Sequence, residues 1–180
     1  RLVGSEMCIR DRFMRVRILF RALILILVSV VSALLLVQVF GYEPRDTAPG
    51  LWLTGNVVAK GKVDWSFTSE IEEIMVETRT PYWIPHSVTA YCVVYHGDLY
   101  LLSAYYEGGE FPHGRSWNRN VIRDPRIRLK IQSDIYNRDL RFLGSVPSKE
   151  FIHDAFLEKY KNWQSPRLED VHIFLVEDGS

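Results

Sequence analysis

The sequence predicts one N-terminal transmembrane helix followed by a small α+β domain built around an antiparallel sheet or small barrel. Three observations lead to this prediction. Residues 22–40 are apolar and uncharged, several short strand-like runs follow residue 70, and residues 148–163 place apolar side chains at helical spacing. Several short strands with one or two helices are typical of α+β domains, and roughly 130 residues suffice for one modest core.

The apolar run at residues 22–40 reads ALILILVSVVSALLLVQVF. About twenty residues at 1.5 Å per residue span the roughly 30 Å hydrocarbon core of a bilayer. A buried core helix is disfavoured because no face of this segment is polar. The remaining alternative is a cleavable signal peptide, which normally has a shorter apolar region and ends in a small-residue cleavage site. We predict an uncleaved membrane anchor over residues 14–41.

Basic residues flank the anchor unevenly. Arg15, Arg17 and Arg21 precede the apolar run, whereas Arg45 is the nearest basic residue after it. Basic residues accumulate on the cytoplasmic side of membrane helices. The sequence therefore predicts a single-pass protein with a cytoplasmic N-terminus and an extracytoplasmic domain.

The first twelve residues have the character of an artefact. Residues 2–11, LVGSEMCIRD, look like a translated transposase adapter from shotgun DNA sequencing, and Arg12 completes the read-through. Such scars are excluded from fold reasoning. We expect residues 1–12 to be disordered or without biological meaning, with Met14 as the natural start.

Composition excludes several functional classes. Of 22 basic residues, six lie before position 22, which leaves 16 basic against 20 acidic side chains in the rest of the chain. A dedicated nucleic-acid binder normally has a basic excess, so no nucleic-acid partner is expected. Cys8 and Cys92 cannot build a disulfide framework, and we expect Cys92 to be a small buried hydrophobe. The five histidines lack ligand spacing, so no metal site is expected.

A hairpin is the clearest element of the predicted domain. Residues 87–95 and 99–106 are both rich in apolar and aromatic side chains, and His96-Gly97-Asp98 supplies a turn between them. The other predicted elements are a polar linker at residues 42–50, strands at 71–80, 126–131, 135–143 and 171–176, and a helix at 148–163 that ends before Pro166.

Charge is unevenly distributed within the domain. The acidic stretch at residues 64–77 is predicted to be solvated surface. Residues 115–130 instead carry six basic side chains against one acidic residue, Asp124. Arginines on a strand face and a neighbouring loop suit a phosphate group; the alternative is the solvated face of an edge strand. The six are Arg115, Arg119, Arg123, Arg126, Arg128 and Lys130.

A series of short motifs lies between residues 77 and 136. They are Thr78-Arg79, Pro85-His86-Ser87-Val88, Gly97-Asp98-Leu99-Tyr100, Gly108-Gly109, Trp117, Asn120-Val121 and Asp124-Pro125-Arg126-Ile127, with Lys159-Tyr160 at the end of the last helix. In their order and spacing, these motifs resemble the FMN-binding split-barrel superfamily, which includes pyridoxamine 5′-phosphate oxidase-like and deazaflavin (F420)-dependent nitroreductase-like proteins.

The resemblance implies a small split β-barrel domain, a homodimer and a cofactor, FMN or F420, that performs hydride or electron transfer. Two departures leave the choice of cofactor open: Trp117 stands where the oxidases have a phosphate-binding lysine, and residues 79–83 replace a nitroreductase motif. The residues implied along the ring and ribityl chain are Thr78, Arg79, His86, Ser87 and Val88; those implied at the phosphate are Ser103, Arg115, Trp117, Arg119 and Asn120.

Three functions remain open from the sequence. The leading hypothesis is a membrane-anchored oxidoreductase-like protein that binds a flavin-type cofactor. The second is a degenerate split barrel that serves as a non-enzymatic interaction module, since an exported apoprotein must find its cofactor outside the cell. The third is a lipocalin-like carrier of a hydrophobic ligand, suggested by the 13% aromatic content.

Overall fold

The computed structural model describes residues 4–104, 110–144, 146–161 and 167–179, with side chains described from residue 16 onward. It divides into two compact units, Arg1–Phe40 and Gly41–Ser180. The first contains the single helix α1 (Gly4–Phe40), and the second contains all of the strands.

Helix α1 confirms the predicted continuous helix and ends at Phe40, as expected. Its segment Val16–Phe40 is long and apolar enough to cross a membrane, and none of it is buried within the structure. The backbone of residues 4–12 is also helical, so the disorder expected for them is not observed. Extending a preformed helix adds one hydrogen bond for each residue that is fixed.

The second unit is an α+β domain. Six of its strands form an antiparallel sheet in which each strand pairs with its neighbour. The remaining strand, β1, has two residues and pairs in parallel with β6. The elements are β1 (Asn56–Val57), β2 (Glu73–Arg79), β3 (Pro85–Tyr95), β4 (Asp98–Ala104), α2 (Ser116–Arg123), β5 (Arg126–Ile131), β6 (Asp134–Leu143), α3 (Ser148–Lys159) and β7 (Val171–Asp178), with short 3₁₀ helices at Trp65–Glu70 and Leu168–Asp170.

The sheet closes into a barrel. The strand order is β6-β5-β2-β3-β4-β7, and β6 also pairs with β7, so the first and last strands of the series meet. Their antiparallel register runs from Arg138 opposite Asp178 to Leu143 opposite Ile173. The predicted α+β class is confirmed, and the antiparallel sheet is a closed six-stranded barrel.

The predicted hairpin is confirmed as β3 and β4. Tyr95 pairs with Asp98 across a two-residue turn. His96 and Gly97 both have positive φ, 53° and 88°, which is the geometry of a type I′ turn and matches the right-handed twist of the strands. Residues 105 and 106 of the predicted second strand lie outside the described residues.

Strand β5 has the predicted bounds and the predicted alternation. Ile127, Leu129 and Ile131 face the barrel interior and are buried. Because β5 pairs with β2 on one side and β6 on the other, it is not an edge strand. Its outward charged side chains therefore do not protect a free edge.

Helix α3 packs on the outside of the barrel. Ile152 and Phe156 are buried in a second apolar cluster with residues of β3, β4 and β7, such as Val93 and Ile173. The helix begins at Ser148 as predicted and ends at Lys159, and residues 162–166 lie outside the described part of the chain. Lys159 Nζ then donates to the carbonyl oxygens of Thr68 (2.9 Å) and Cys92 (2.8 Å), which ties the end of α3 to the barrel.

Helix α2 is not among the elements predicted from the sequence, which gives a helix only at residues 148–163. Its buried side includes Trp117 and Val121, which are one helical turn apart and belong to the barrel core. Eight residues form a marginal helix on their own. Tertiary packing of the apolar side therefore stabilises α2.

Glu77 corrects the expectation of a solvated acidic stretch. Its residue exposure is 8%. One carboxylate oxygen accepts the Leu53 N–H at 2.6 Å and lies 3.0 Å from Nη1 of Arg128 on the neighbouring strand. The ion pair thus connects β2 and β5 and also fixes the chain that leads into the barrel.

Residues 42–50, expected to be a linker, contact the barrel. Pro44 and Gly50 are buried, and Gly50 and Ser87 exchange two backbone hydrogen bonds of 2.8 and 3.0 Å. A Cβ atom on Gly50 would lie 2.5 Å from Ser87 Oγ. Only glycine permits this close approach.

We predict that Arg128→Ala lowers the free energy of unfolding by about 2–3 kcal/mol, because it leaves the carboxylate of Glu77 buried without its cationic partner. The measurement is chemical denaturation followed by tryptophan fluorescence. The matched control is Arg141→Ala, whose partner Glu177 is exposed like Arg141 itself; it should change stability by less than about 0.5 kcal/mol. Equal effects of the two substitutions would contradict the structural role of Glu77.

Candidate functional site

A pocket of about 290 Å³ lies between β3, β4, the beginning of α2 and residues 46–49. Its volume is at the lower end of the range for small-molecule sites, so it suits part of a cofactor such as its phosphate end. Four of the ten predicted site residues line it: Val88, Ser103, Arg115 and Trp117.

Ser103 is the most informative of these residues. It is only 3% exposed, and its hydroxyl oxygen has no hydrogen-bond partner among the described residues. A buried polar group without a partner costs about 1–3 kcal/mol. The Ser103 hydroxyl is therefore suited to bonding a ligand or a water in the pocket.

The N-terminus of α2 contributes positive potential to the same pocket. Arg115 occupies the N-cap position, no side chain caps the helix, and the first turn contains no acidic residue. The first N–H groups of a helix point along its axis beyond the N-terminus and have no intrahelical partners, and the helix dipole places partial positive charge there. This terminus can therefore bind an anion.

Arg115 is oriented by a backbone contact. Its Nε donates to the carbonyl oxygen of Ala104 at 2.8 Å, which leaves the other guanidinium nitrogens for a ligand. Two acidic residues, Asp46 and Glu73, also line the pocket. Among its lining residues, Arg115 is the sole cation, so the favourable potential for an anion is concentrated at α2.

Thr78 and Asn120 belong to a buried network outside the pocket lining. The Thr78 hydroxyl donates to the carbonyl oxygen of His86 at 3.1 Å and accepts from Asn120 Nδ2 at 3.0 Å. The network connects α2 with β2 and β3. Both side chains therefore position the elements around the pocket.

Ser87, Arg79 and Arg119 are not brought into the pocket. Ser87 is buried beneath Gly50. Arg79 is exposed and lies 3.6 Å from the carboxylate of Asp124, and Arg119 is exposed on α2.

Trp117 is both a core residue and a pocket wall. Its ring is buried and packs on Phe174 with a centroid distance of 4.9 Å. Trp117 therefore contributes to core packing. The pocket is nevertheless bounded by the same side chain.

The six-residue basic run divides among several partners. Arg126 bonds Asp124, Arg128 bonds Glu77 and Lys130 bonds Glu43. Arg123 donates to the carbonyl oxygen of Arg79. Arg115 is the member of the run that lines the pocket.

Sequence reasoning missed two groups near the site. Residues 46–49, assigned to a linker, form one wall of the pocket. Asn118 and His172 are buried and meet at 2.9 Å between Nδ2 and Nδ1. No local pattern could identify this pair, since its members are 54 residues apart.

No protein-family model and no curated protein matches this chain. Solved structures do match. The conserved hypothetical protein Rv2991 from Mycobacterium tuberculosis has a TM-score of 0.50 at 11% identity, over 71% of this chain and 85% of that chain. An F420 reductase has a TM-score of 0.48 at 13% identity, over 68% and 97%.

Campylobacter jejuni ChuZ has a TM-score of 0.48 at 13% identity over 62% of this chain, which spans only 50% of ChuZ. The similarity to Rv2991 and the closed six-stranded barrel establish the fold. The domain has the predicted α+β fold with a small split β-barrel. The resemblance found in the sequence is confirmed at the level of fold.

His86 provides a test of the environment around β3. Its Nδ1 is buried without a partner among the described residues, and burial lowers its pKa below the ordinary 6.5. A base with a depressed folded-state pKa binds fewer protons than in the unfolded chain, so its contribution to stability declines as pH falls through 6.5. An NMR titration of the imidazole should give the lowered pKa, and the assigned signal should vanish in His86→Gln. A normal or raised pKa would contradict the buried environment.

Proposed function

We propose that this protein is a membrane-anchored, flavin-type cofactor-binding, oxidoreductase-like protein. The single observation that carries the proposal is the unpartnered Ser103 hydroxyl, which lines a pocket together with Arg115 at an uncapped helix N-terminus. These are the groups that a phosphate requires. The split-barrel fold and the motif resemblance favour FMN or F420 as the molecule that carries the phosphate.

Each pocket residue has a distinct proposed task. The Ser103 hydroxyl donates a hydrogen bond to a phosphate oxygen. The guanidinium nitrogens of Arg115 that do not contact Ala104 supply charge-assisted hydrogen bonds. The N–H groups of the first turn of α2 add further donors. Val88 and Trp117 offer apolar surface to the less polar part of the cofactor. A bound flavin or deazaflavin would supply hydride or electron transfer, while the protein binds and orients it.

The remaining predicted residues act through position in this proposal. Thr78 and Asn120 hold α2 against β2, so they fix the helix terminus relative to Ser103. Arg119 lies outside the pocket lining, four residues after Arg115. It is therefore a matched control for substitutions of Arg115.

The second candidate function is a degenerate split barrel that binds another protein and no cofactor. Two observations favour it: residues 42–50 cover Ser87, which the resemblance places beside the cofactor, and Asp46 and Glu73 bring negative charge to the pocket. A lipocalin-like carrier is disfavoured because the barrel interior is packed with side chains such as Leu99, Leu101 and Phe174.

We also propose that α1 anchors the chain as a single-pass helix with the domain outside the cytoplasm. The supports are the apolar length of Val16–Phe40 and the three arginines that precede residue 22 and follow Met14.

We predict that Arg115→Ala weakens binding of FMN or F420 by about ten- to a hundred-fold, the equivalent of one charge-assisted contact. Ser103→Ala should weaken it in the same direction, and both should leave riboflavin, which lacks the phosphate, nearly unaffected. Titration with each ligand, followed by flavin absorbance or fluorescence, makes the measurement. Arg119→Ala is the control and should retain binding. A wild-type chain that binds none of these molecules would favour the non-enzymatic module.

We predict a homodimer, since the resemblance places the cofactor in a groove shared by two chains. The measurement is the mass of the detergent-solubilised full chain by light scattering, with detergent subtracted. The expected value is twice the 21.0 kDa of one chain. A monomer that binds flavin with full affinity would contradict a shared site.

A further inference from the structure

The turn between β2 and β3 exposes two aromatic side chains. Tyr82 is 80% exposed and Trp83 is 91% exposed. Exposed tryptophan is uncommon because its large apolar surface normally packs against other side chains. We call residues 80–84 the aromatic turn.

The aromatic turn is locally ordered by Thr80. The Thr80 carbonyl oxygen accepts the Trp83 N–H at 3.3 Å. The Thr80 hydroxyl oxygen accepts the Tyr82 N–H at 3.3 Å, and the same hydroxyl donates to the carbonyl oxygen of Ile84. Trp83 has a φ of 64°, in the left-handed region that bulky residues rarely adopt. The turn thus holds both rings away from the core in a strained conformation, which is a common property of functional positions.

Arginines surround the base of the aromatic turn. Arg79 immediately precedes it, and Arg123 donates to the Arg79 carbonyl oxygen. Arg79 and Arg126 share the carboxylate of Asp124 at 3.6 and 2.8 Å. Two guanidinium groups thus share one carboxylate, and the third, that of Arg123, bonds a backbone carbonyl oxygen, which leaves an excess of positive charge at this site. Arg119 lies one helical turn before Arg123 on α2.

The chain enters the folded domain almost directly after the apolar helix. Helix α1 ends at Phe40. Tyr42 already donates its N–H to the carbonyl oxygen of Trp52 at 2.9 Å and accepts the N–H of Leu51 at 2.7 Å. One residue of extended chain spans at most about 3.6 Å. The connection between the apolar segment and the folded domain is therefore about one residue long.

We propose that the aromatic turn, with Arg79, Arg119, Arg123 and Arg126, docks on anionic lipid headgroups of the membrane that holds α1. Tryptophan and tyrosine favour the membrane–water interface because their rings are amphipathic. Basic side chains are attracted to anionic lipids, and the attraction declines with salt. This inference rests on the membrane anchor proposed above and is independent of the cofactor.

The test uses the full chain in nanodiscs with a tryptophan-free scaffold protein and phosphatidylcholine, with and without phosphatidylglycerol, in which brominated acyl chains quench nearby tryptophans. Residues 1–40 contain no tryptophan, so all fluorescence comes from the domain. The wild-type chain should be quenched, and more strongly at low salt with the anionic lipid. Trp83→Phe should remove most of this quenching, whereas Trp52→Phe, a control in the same domain, should retain it.

A second variant separates charge from aromatic insertion. Arg79→Ala combined with Arg119→Ala should abolish the added quenching by phosphatidylglycerol while Trp83 remains present. Circular dichroism should be unchanged in the variants of Trp83, Arg79 and Arg119, since these side chains are exposed, and it also checks that Trp52→Phe, at a half-buried position, remains folded. Quenching that is the same in Trp83→Phe and wild type would overturn the proposal. Wild-type quenching that is the same with and without phosphatidylglycerol would also overturn it.

The experiment distinguishes failure of the proposed α1 anchor from failure of lipid docking by the aromatic turn. A chain that does not incorporate into nanodiscs refutes the anchor, and its binding to phosphatidylglycerol vesicles is then measured by flotation. An at least fivefold loss of vesicle binding in Trp83→Ser would still support docking, and no loss would overturn it. If Trp83→Phe converts a dimer into a monomer and leaves the quenching unchanged, the proposal is overturned. The aromatic turn would then be a contact with a second copy of the chain.

Discussion

Closure of the barrel by the β6–β7 pairing is the constraint on which the rest of the domain depends. Without it, the six-stranded series would end in two unpaired edges, which are exposed to association with other chains. The pairing joins consecutive strands that are separated by α3, and it brings Phe142 opposite Phe174. Closure also fixes which side chains of every strand face inward, since successive residues alternate. The core and both packed helices follow from that choice.

Closure creates an interior that accommodates charge as well as apolar groups. Arg138 is buried on β6, with its guanidinium carbon 5.5 Å from the centre of the Trp65 ring and 5.9 Å from that of Tyr136. It donates to the carbonyl oxygen of Gly61 at 2.9 Å. A buried cation is tolerated when rings and carbonyl oxygens replace its water. Arg138 thereby holds the segment before β2 against the barrel.

The candidate site is a consequence of how α2 meets this barrel. The apolar side of the helix enters the core, and Asn120 bonds Thr78 from the same side. The N-terminus of α2 is thereby placed in the same pocket as the buried hydroxyl of Ser103 on β4. The outer side of α2 carries Arg119 and Arg123 toward the aromatic turn. One short helix thus serves both proposed surfaces, with its terminus at the pocket and its exposed side near the turn.

Local patterns in the sequence determined the elements whose interactions are local. The apolar length of α1, the His96–Gly97 turn, the alternation of β5 and the start of α3 each depend on neighbouring residues, and all were predicted. The tertiary structure decided what depends on distant contacts. It made α2 a helix, because eight residues need a packed side to be stable. It also selected Glu77 as the partner of Arg128, 51 residues away, and placed Gly50 over Ser87. Charge along a sequence does not specify which groups meet, because strand pairing in the closed barrel sets those distances.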